Sequence, residues 1–447
     1  MNFDKIISII KNEAERLGVS SYELYYMSSE DLSVETLKDD VSAFSSGLSG
    51  GLSFRCSVNS RMGYASTELL DEAEVESLVG RAVENASNTE KEDTVGIFAG
   101  SPSYEKVNAK PFVATDAATL KALALELQRE TYAATDKIAD GTQSAAVSGA
   151  VTVRIYNSNG LSLENQTGVS LAYAMPVVRD GEESQESFEM VELTDDVSPA
   201  EVAKTAVGKA LAKLGSSGLE TGKYNVIIDS RSMRSILSAF SSAFSAKNAQ
   251  LGLSLLAGKE GSTIASEIVT LTDDPMRPGV SMQTPFDAEG VAAHRKAVIE
   301  KGVLKTLLHN LESAKAAGVE STGNASRAGY SSPVGISPYA FCIEAGEYSH
   351  DALLELAGNG VYITEVKGLH AGANAVTGDF SIESAGFMIE GGKLTRPVKS
   401  FTVAGNFFEL LGNISALSDE VTVGISGSFT RFGSPDVLIR DMSIAGK

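Results

Sequence analysis

Apolar residues in the opening segment, MNFDKIISIIKNEAERLG, recur at helical spacing, which predicts a surface helix with Phe3, Ile6, Ile7, Ile10 and Ala14 on one face. The pattern then shifts to short runs of aromatic and β-branched residues. YELYYMSS (22 to 29), LSVETLK (32 to 38) and GLSFRCSV (51 to 58) read as short strands, followed by an acidic helix from residue 71 to about 85. Helices alternating with strands give this first part an α/β character within an α+β chain. Residues 85 to 106 are polar with Gly and Pro and read as a linker or long surface connection. A second helix, 116 to about 138, carries Leu120, Leu123 and Leu127, and the alternation over 146 to 178, broken at Asn159-Gly160, predicts a hairpin or meander. The acidic 180 to 190 stretch reads as an exposed loop entering another strand. Ser198-Pro199-Ala200-Glu201 forms a capping box opening a helix that Gly215 can close. From Lys223 the pattern changes again: 224 to 229 is a buried strand, 230 to about 246 a helix, and short strands between Gly and Pro turns follow. The main boundary therefore falls near 220. It separates an α/β region, 1–219, divisible into 1–90 and 107–219, from a β-rich region, 220–447.

At 447 residues and 43% hydrophobic content the chain can bury a large core, spread over two or three domains. The start lacks a basic flank before an apolar core, and no later apolar run reaches roughly 18 residues, so neither a signal peptide nor a membrane anchor is expected. The cytoplasm is the expected compartment. Cys56 and Cys342 are far apart and lack partners at metal-ligand spacing, which fits reduced, part-buried thiols. A net charge of −21 opposes polyanions, because neutralising phosphates requires clustered Lys and Arg. No nucleic-acid partner is expected.

The second half carries specific motifs. The run GLHAGANAVTGDFSIESAGFMIEGGKLTRPV (368 to 398) is followed by FTVAGNFFELL (401 to 411) and the ending FGSPDVLIRDMSIAGK (432 to 447). Upstream lie YNVIID (224 to 229), SEIVTLTDDP (266 to 275), FDAEGV (286 to 291) and STGNASR (321 to 327). In this order the segments resemble the TldD/PmbA family, on its PmbA/TldE branch, over nearly the whole chain and more weakly in the first half. The resemblance implies an N-terminal α/β portion, a C-terminal domain with a highly curved sheet, and dimers that enclose a cavity. It also implies a heteromeric metallopeptidase, built from one TldD-type and one PmbA-type chain, that degrades unfolded or flexible peptides. The family's old name, modulator of DNA gyrase, reflects genetics around gyrase-targeting peptides and so agrees with peptide rather than DNA substrates.

A metallopeptidase needs protein ligands for its metal and a carboxylate to take a proton from bound water. By resemblance, TldD-type chains supply H-E-x-x-x-H on the helix after the buried strand, with a Cys near the C-terminus. Here residues 230 to 247 contain no His, Glu or Cys, and near Ser238 to Ala243 the sequence is SAFSSA. No metal is therefore expected in this chain, and zinc is expected on a TldD-type partner. On this helix Met233, Ile236, Leu237, Phe240 and Phe244 form an apolar stripe, with Ser235, Ser238, Ser241 and Ser245 toward another face. Hydroxyls are poor zinc ligands at neutral pH, and no nearby His activates them.

Candidate peptide-cavity residues are Asn324, Arg327, His370, Asn374 and Asp379. His370 and Asn374 belong to the G-x-H-x-G-x-N segment, where a lone His is more readily a structural residue bonded to backbone than a ligand or base. Gly378-Asp379 reads as a tight turn with Asp379 accepting backbone N–H bonds, and Asn406 as a left-handed turn residue. Asn324 and Arg327 suit main-chain amides or a carboxylate, and Arg327 equally suits an ordinary loop cation. Three functions fit: a non-catalytic partner subunit, a stand-alone homodimer that binds peptides or regulates, and an autonomous hydrolase using His370 with Glu365 or Asp379.

Overall fold

Strand β1 (Tyr22–Leu37) runs unbroken through the polar stretch between the two strands predicted there, and β2 (Asp40–Val58) returns along its whole length. The prediction of short strands at 22 to 29 and 32 to 38 is thus corrected. Ladders on both sides, to β2 and to β4 (Gln143–Asn157), carry the backbone through Ser28 to Asp31 although its side chains show no apolar alternation. The computed structural model describes residues 1–90, 92–93, 95–194, 196–424 and 430–446, and every element and absence below refers to these. Strands β3 (Arg61–Thr67), β5 (Ser162–Met175) and β8 (Glu189–Glu192) complete an antiparallel sheet of order β3-β2-β1-β4-β5-β8. The predicted loop at 180 to 190 is instead a hairpin, β6 (Val177–Asp180) with β7 (Glu183–Glu186), leading into the edge strand β8.

Helix α1 (Phe3–Arg16) turns Ile6, Ile9, Ile10 and Ala14 inward, so Ile9 takes the place predicted for Ile7. It packs with α2 (Glu72–Asn88) over one end of the sheet, around Leu24, Leu52 and Phe54. α3 (Ala117–Ala133) covers the other end together with α4 (Pro199–Leu211). α3 stops short of the predicted 138 because Ile138 bridges to Val178 of β6. Ser198 accepts the Glu201 N–H at 3.4 Å with Pro199 opening α4, and α4 ends ahead of the left-handed Gly215. In the predicted connection at 85 to 106, α2 extends to Asn88, and residues 91 and 94 lie outside the described residues.

In the second half β9 (Gly222–Ile228), β16 (Gly360–Lys367), β17 (Asp379–Glu390), β18 (Lys393–Asn406) and β22 (Val437–Ala445) follow the order β18-β17-β16-β9-β22. β22 pairs back onto β18 through Thr402–Ala445 and Val403–Ile444, closing a curled, barrel-like sheet, and β19 (Ile414–Leu417) joins β22. The highly curved sheet expected from the family resemblance is present. Its curl follows register shifts in β16, β17 and β22. At Gly386 a Cβ would come within 1.9 Å of the Tyr362 carbonyl oxygen, so only glycine fits there. Of the predicted terminal strand pair, Lys447 lies outside the described residues.

A further sheet runs β12 (Val303–Leu304), β11 (Lys296–Glu300), β10 (Leu271–Asp273), β15 (Ala340–Ile343), β21 (Arg431–Ser434) and β20 (Thr422–Val423), beside a small ladder of β13 (Ala325–Ser326) and β14 (Gly335–Ile336). Helix α5 (Ser230–Phe240) wedges between this sheet and the barrel, touching β21 and β16. The helix predicted to reach 246 breaks at Phe240 into a tighter turn, and α6 (Ala246–Gln250) restarts after Ser245. Ser245 is consequently buried as the cap of α6 and leaves the predicted serine face. Short helices α7 (Leu311–Ala317), α8 (His350–Ala357), α9 (Leu369–Gly372) and α10 (Phe407–Gly412) fill the connections. No helix is long and apolar enough to cross a membrane.

Candidate functional site

Asp229 follows β9 and caps α5, its carboxylate accepting the Ser232 N–H at 2.7 Å, which fixes where the helix starts and which face it turns to the core. Met233, Ile236, Leu237 and Phe240 point inward, and Phe240 stacks on Phe407 with centroids 4.6 Å apart. The opposite face leaves Arg231, Ser235 and Ser238 exposed. They look onto a groove walled by Lys209 of α4, Phe188, the edge strand β8, and Thr364 and Glu365 of β16. Two adjoining cavities of about 980 and about 730 Å³ make up this groove and share Phe188, Lys209, Asp229, Arg231 and Ser235.

Its charges are largely paired. Lys209 meets Glu189 at 2.5 Å, and Lys213 and Lys367 hold Glu365 at 2.7 and 2.8 Å. Burial raises the Glu365 carboxyl, but the hydrogen bonds and charges of the two lysines outweigh it and hold the group below its ordinary value. Burial pushes Asp229 upward, against the hydrogen bonds it accepts at the head of α5. Just behind the groove, Asp436 accepts from Ser230 N at 2.7 Å and from the Tyr362 hydroxyl at 3.2 Å, and meets His350 Nδ1 at 2.9 Å.

A metallopeptidase zinc does not fit these residues. Of the α5 positions where the family resemblance places metal ligands, Ser238 is exposed and Ala239 half-buried, while Ala243 is wholly buried in the turn that follows. None carries an imidazole or carboxylate, and no group of three or more His, Cys, Asp or Glu among the described residues is placed to hold a metal ion.

The five predicted site residues separate into two groups, and neither lines this groove. Asn324 is fully buried: its amide donates to Asp273 at 2.7 Å and to Ser337 O at 3.0 Å, and its oxygen accepts from Thr322 at 2.8 Å. Asn324 therefore sits inside a buried network, with both amide hydrogens engaged within the fold. Arg327 is not a loop cation. It donates to Ser53 at 3.0 Å, lies 4.5 Å over the Tyr25 ring and approaches Glu23 at 3.8 Å, linking the second half to the first sheet. It also lines a separate cleft of about 560 Å³ with Arg55, Glu289 and Tyr330.

His370, Asn374 and Asp379 gather around α9 and the following turn, all exposed. Asn374 caps its own loop, accepting from Val376 N at 3.0 Å. Asp379 accepts from the side-chain amide of Asn406 at 3.0 Å rather than from backbone, and this bond, with one from Thr377, lowers its carboxyl below the ordinary value. Asn406 itself has φ −120 and caps α10, so its expected left-handed conformation is also corrected. Sequence reasoning passed over Lys209, Arg231 and Arg234, which line the groove. The available signal was the Arg-x-x-Arg spacing beside the apolar stripe, visible once one asks which face of the helix stays in solvent.

Comparison with known proteins covers most of the chain. The PmbA/TldA metallopeptidase C-terminal domain matches residues 221–446, its central domain 110–214 and its domain 1 residues 22–86. An uncharacterized protein of Methanocaldococcus jannaschii is 30% identical over 94% of this chain and 95% of its own length. A metalloprotease PmbA homolog of Haemophilus influenzae is 28% identical over 83% of this chain and 81% of its own length. A solved structure from Thermotoga maritima, described as a candidate modulator of a DNA gyrase, superposes with a TM-score of 0.89 at 27% identity, covering 99% of this chain and 100% of the other. TldE from Thermococcus kodakarensis shares the fold with a TM-score of 0.87 at 23% identity, over 98% and 99% of the two chains.

Proposed function

The chain belongs to the PmbA/TldD metallopeptidase family, and from that premise we propose that it is the PmbA/TldE-type subunit of a two-chain peptidase. In this reading it completes the cavity and admits unfolded peptides, while a TldD-type partner supplies H-E-x-x-x-H and zinc. The observation that carries it is the donor chemistry of α5, where serines and alanines occupy the positions at which the family resemblance places metal ligands. The groove supports the same reading. It is long, open at the unpaired edge of β8, and bordered by β20 at the edge of its own sheet, so an extended peptide can add by main-chain hydrogen bonds. The exposed His370, Asn374 and Asp379 are proposed as further peptide contacts in the assembled complex. Expressed alone, the chain forms a homodimer.

An autonomous hydrolase built on His370 gains no support, since the acids named for it are held elsewhere, Glu365 by two lysines and Asp379 by Asn406. Copurification from the native cell tests the proposal. A stable partner of the same family carrying H-E-x-x-x-H is expected, and recovery of the chain only with copies of itself would favour the stand-alone peptide-binding or regulatory homodimer.

A further inference from the structure

On the groove face of α5 two arginines, Arg231 and Arg234, stand one helical turn apart. Both line the cavity of about 730 Å³, in which three cations face two carboxylates, the reverse of the balance in a chain of net charge −21. The carboxylates are committed: Glu189 to Lys209, and Asp229 to the cap of α5. Arg231 donates to the Phe188 carbonyl at 2.6 Å and lies 5.3 Å over that ring. Arg234 differs. Among the described residues it has no ion pair, its Nε is buried without a hydrogen-bond partner, and its Nη1 lies against Gly424, where an added Cβ would come to 2.7 Å. Residues 425–429, which follow Gly424, contain no Asp or Glu to neutralise it. Burial first, and then repulsion from Arg231, holds its guanidinium below the ordinary arginine range, as expected for a cation that lacks its anion.

A partly buried guanidinium without an acid is a standing cost that a bidentate carboxylate removes. The two strand edges bordering the same cavity, Glu189 with Met190 of β8 and Thr422 with Val423 of β20, give that carboxylate a carrier in an extended chain. We propose that Arg234, with Arg231 beside it, receives a carboxylate of the bound peptide, so that the groove selects extended chains bearing an acidic group at this point. The inference rests on the peptide-binding reading above. An acidic side chain and a free C-terminus offer the same chemistry.

The test is fluorescence anisotropy on the full-length chain with three labelled, unstructured peptides. One carries a central Glu and an amidated C-terminus, the second carries Gln and the amide, and the third carries Gln and a free C-terminal carboxylate. The Gln amide is expected to bind the wild type most weakly, and the better-bound acidic form identifies the source at a preference of about tenfold. Arg234→Gln is expected to erase that preference, so that the three peptides bind with equal affinity, and Arg234→Lys to retain part of it. Equal binding of all three peptides to the wild type, or an equal loss for all three in Arg234→Gln, would overturn the proposal while leaving peptide binding intact. Failure of the wild type to bind any of them would instead remove the peptide-groove reading, and this inference with it.

Discussion

His350 is half exposed and faces the Asp436 carboxylate. The hydrogen bond that its Nδ1 donates to the Asp436 carboxylate at 2.9 Å raises its pKa against a smaller opposing effect of burial. A folded value above the unfolded one means that the contribution to stability is complete below the unfolded pKa, near 6.5, and is lost as pH rises through the folded value. The urea midpoint of the wild type should therefore exceed that of His350→Gln most at pH 5.5, with the gap closing by pH 8.5. A gap that widens with pH would show that the pair is not an ion pair. Partners of this kind were illegible in the sequence: His350 and Asp436 are 86 residues apart, and Asn324 and its partner Asp273 are 51. The surroundings of Asn324 and Arg327 were hidden because a polar residue in a loop motif looks the same whether it faces solvent or closes a buried network, and Arg327 both joins such a network and lines a cleft. Asp379 illustrates the opposite case, where the tight turn at Gly378 was legible from Gly-Asp and only the identity of the donor was not.

Elements with a clear period were read most faithfully. The stripe on α5 was plain from Met233, Ile236, Leu237 and Phe240, because helical spacing alone places these on one side. Phe240 also meets Phe380 edge-on at 6.2 Å besides stacking on Phe407. Phe240→Ala should cost about 3–5 kcal/mol, the range for emptying a buried aromatic site. Chemical denaturation measures this, and a loss below about 1 kcal/mol, typical of exposed sites, would contradict the packing described. The long strands were harder. β1 carries Ser28, Ser29, Glu30 and Asp31 in its middle, a polar run that propensity reads as a break, yet neighbouring strands hold it extended from both sides. Closure of the barrel was equally hidden from local pattern. It depends on Thr402 meeting Ala445, a pairing that no local pattern announces, and the family resemblance implied only a highly curved sheet.

At the scale of the whole molecule, α4, α5, β16 and the edge strands β8 and β20 border the groove that the proposed function assigns to an extended peptide. Family resemblance adds the expectation of two subunits around one cavity. Sedimentation of the purified chain at micromolar concentration should therefore report a homodimer, with an interface of at least roughly 1,600 Å². A monomer at that concentration would count against the account. The proposed function divides the chemistry, with this subunit contributing binding surface and its partner the metal. Catalytic zinc needs three protein ligands and an open position for water, and residues 230–240 supply hydroxyls, apolar side chains and arginines instead. The most direct measurement pairs elemental analysis of the purified chain with cleavage of an unfolded peptide, run with and without an added family member that carries H-E-x-x-x-H. A partner with its motif Glu replaced serves as the control. The account predicts no stoichiometric zinc, no cleavage by the chain alone, and chelator-sensitive cleavage only with the intact partner. About one zinc per chain together with chelator-sensitive cleavage in the partner's absence would contradict it.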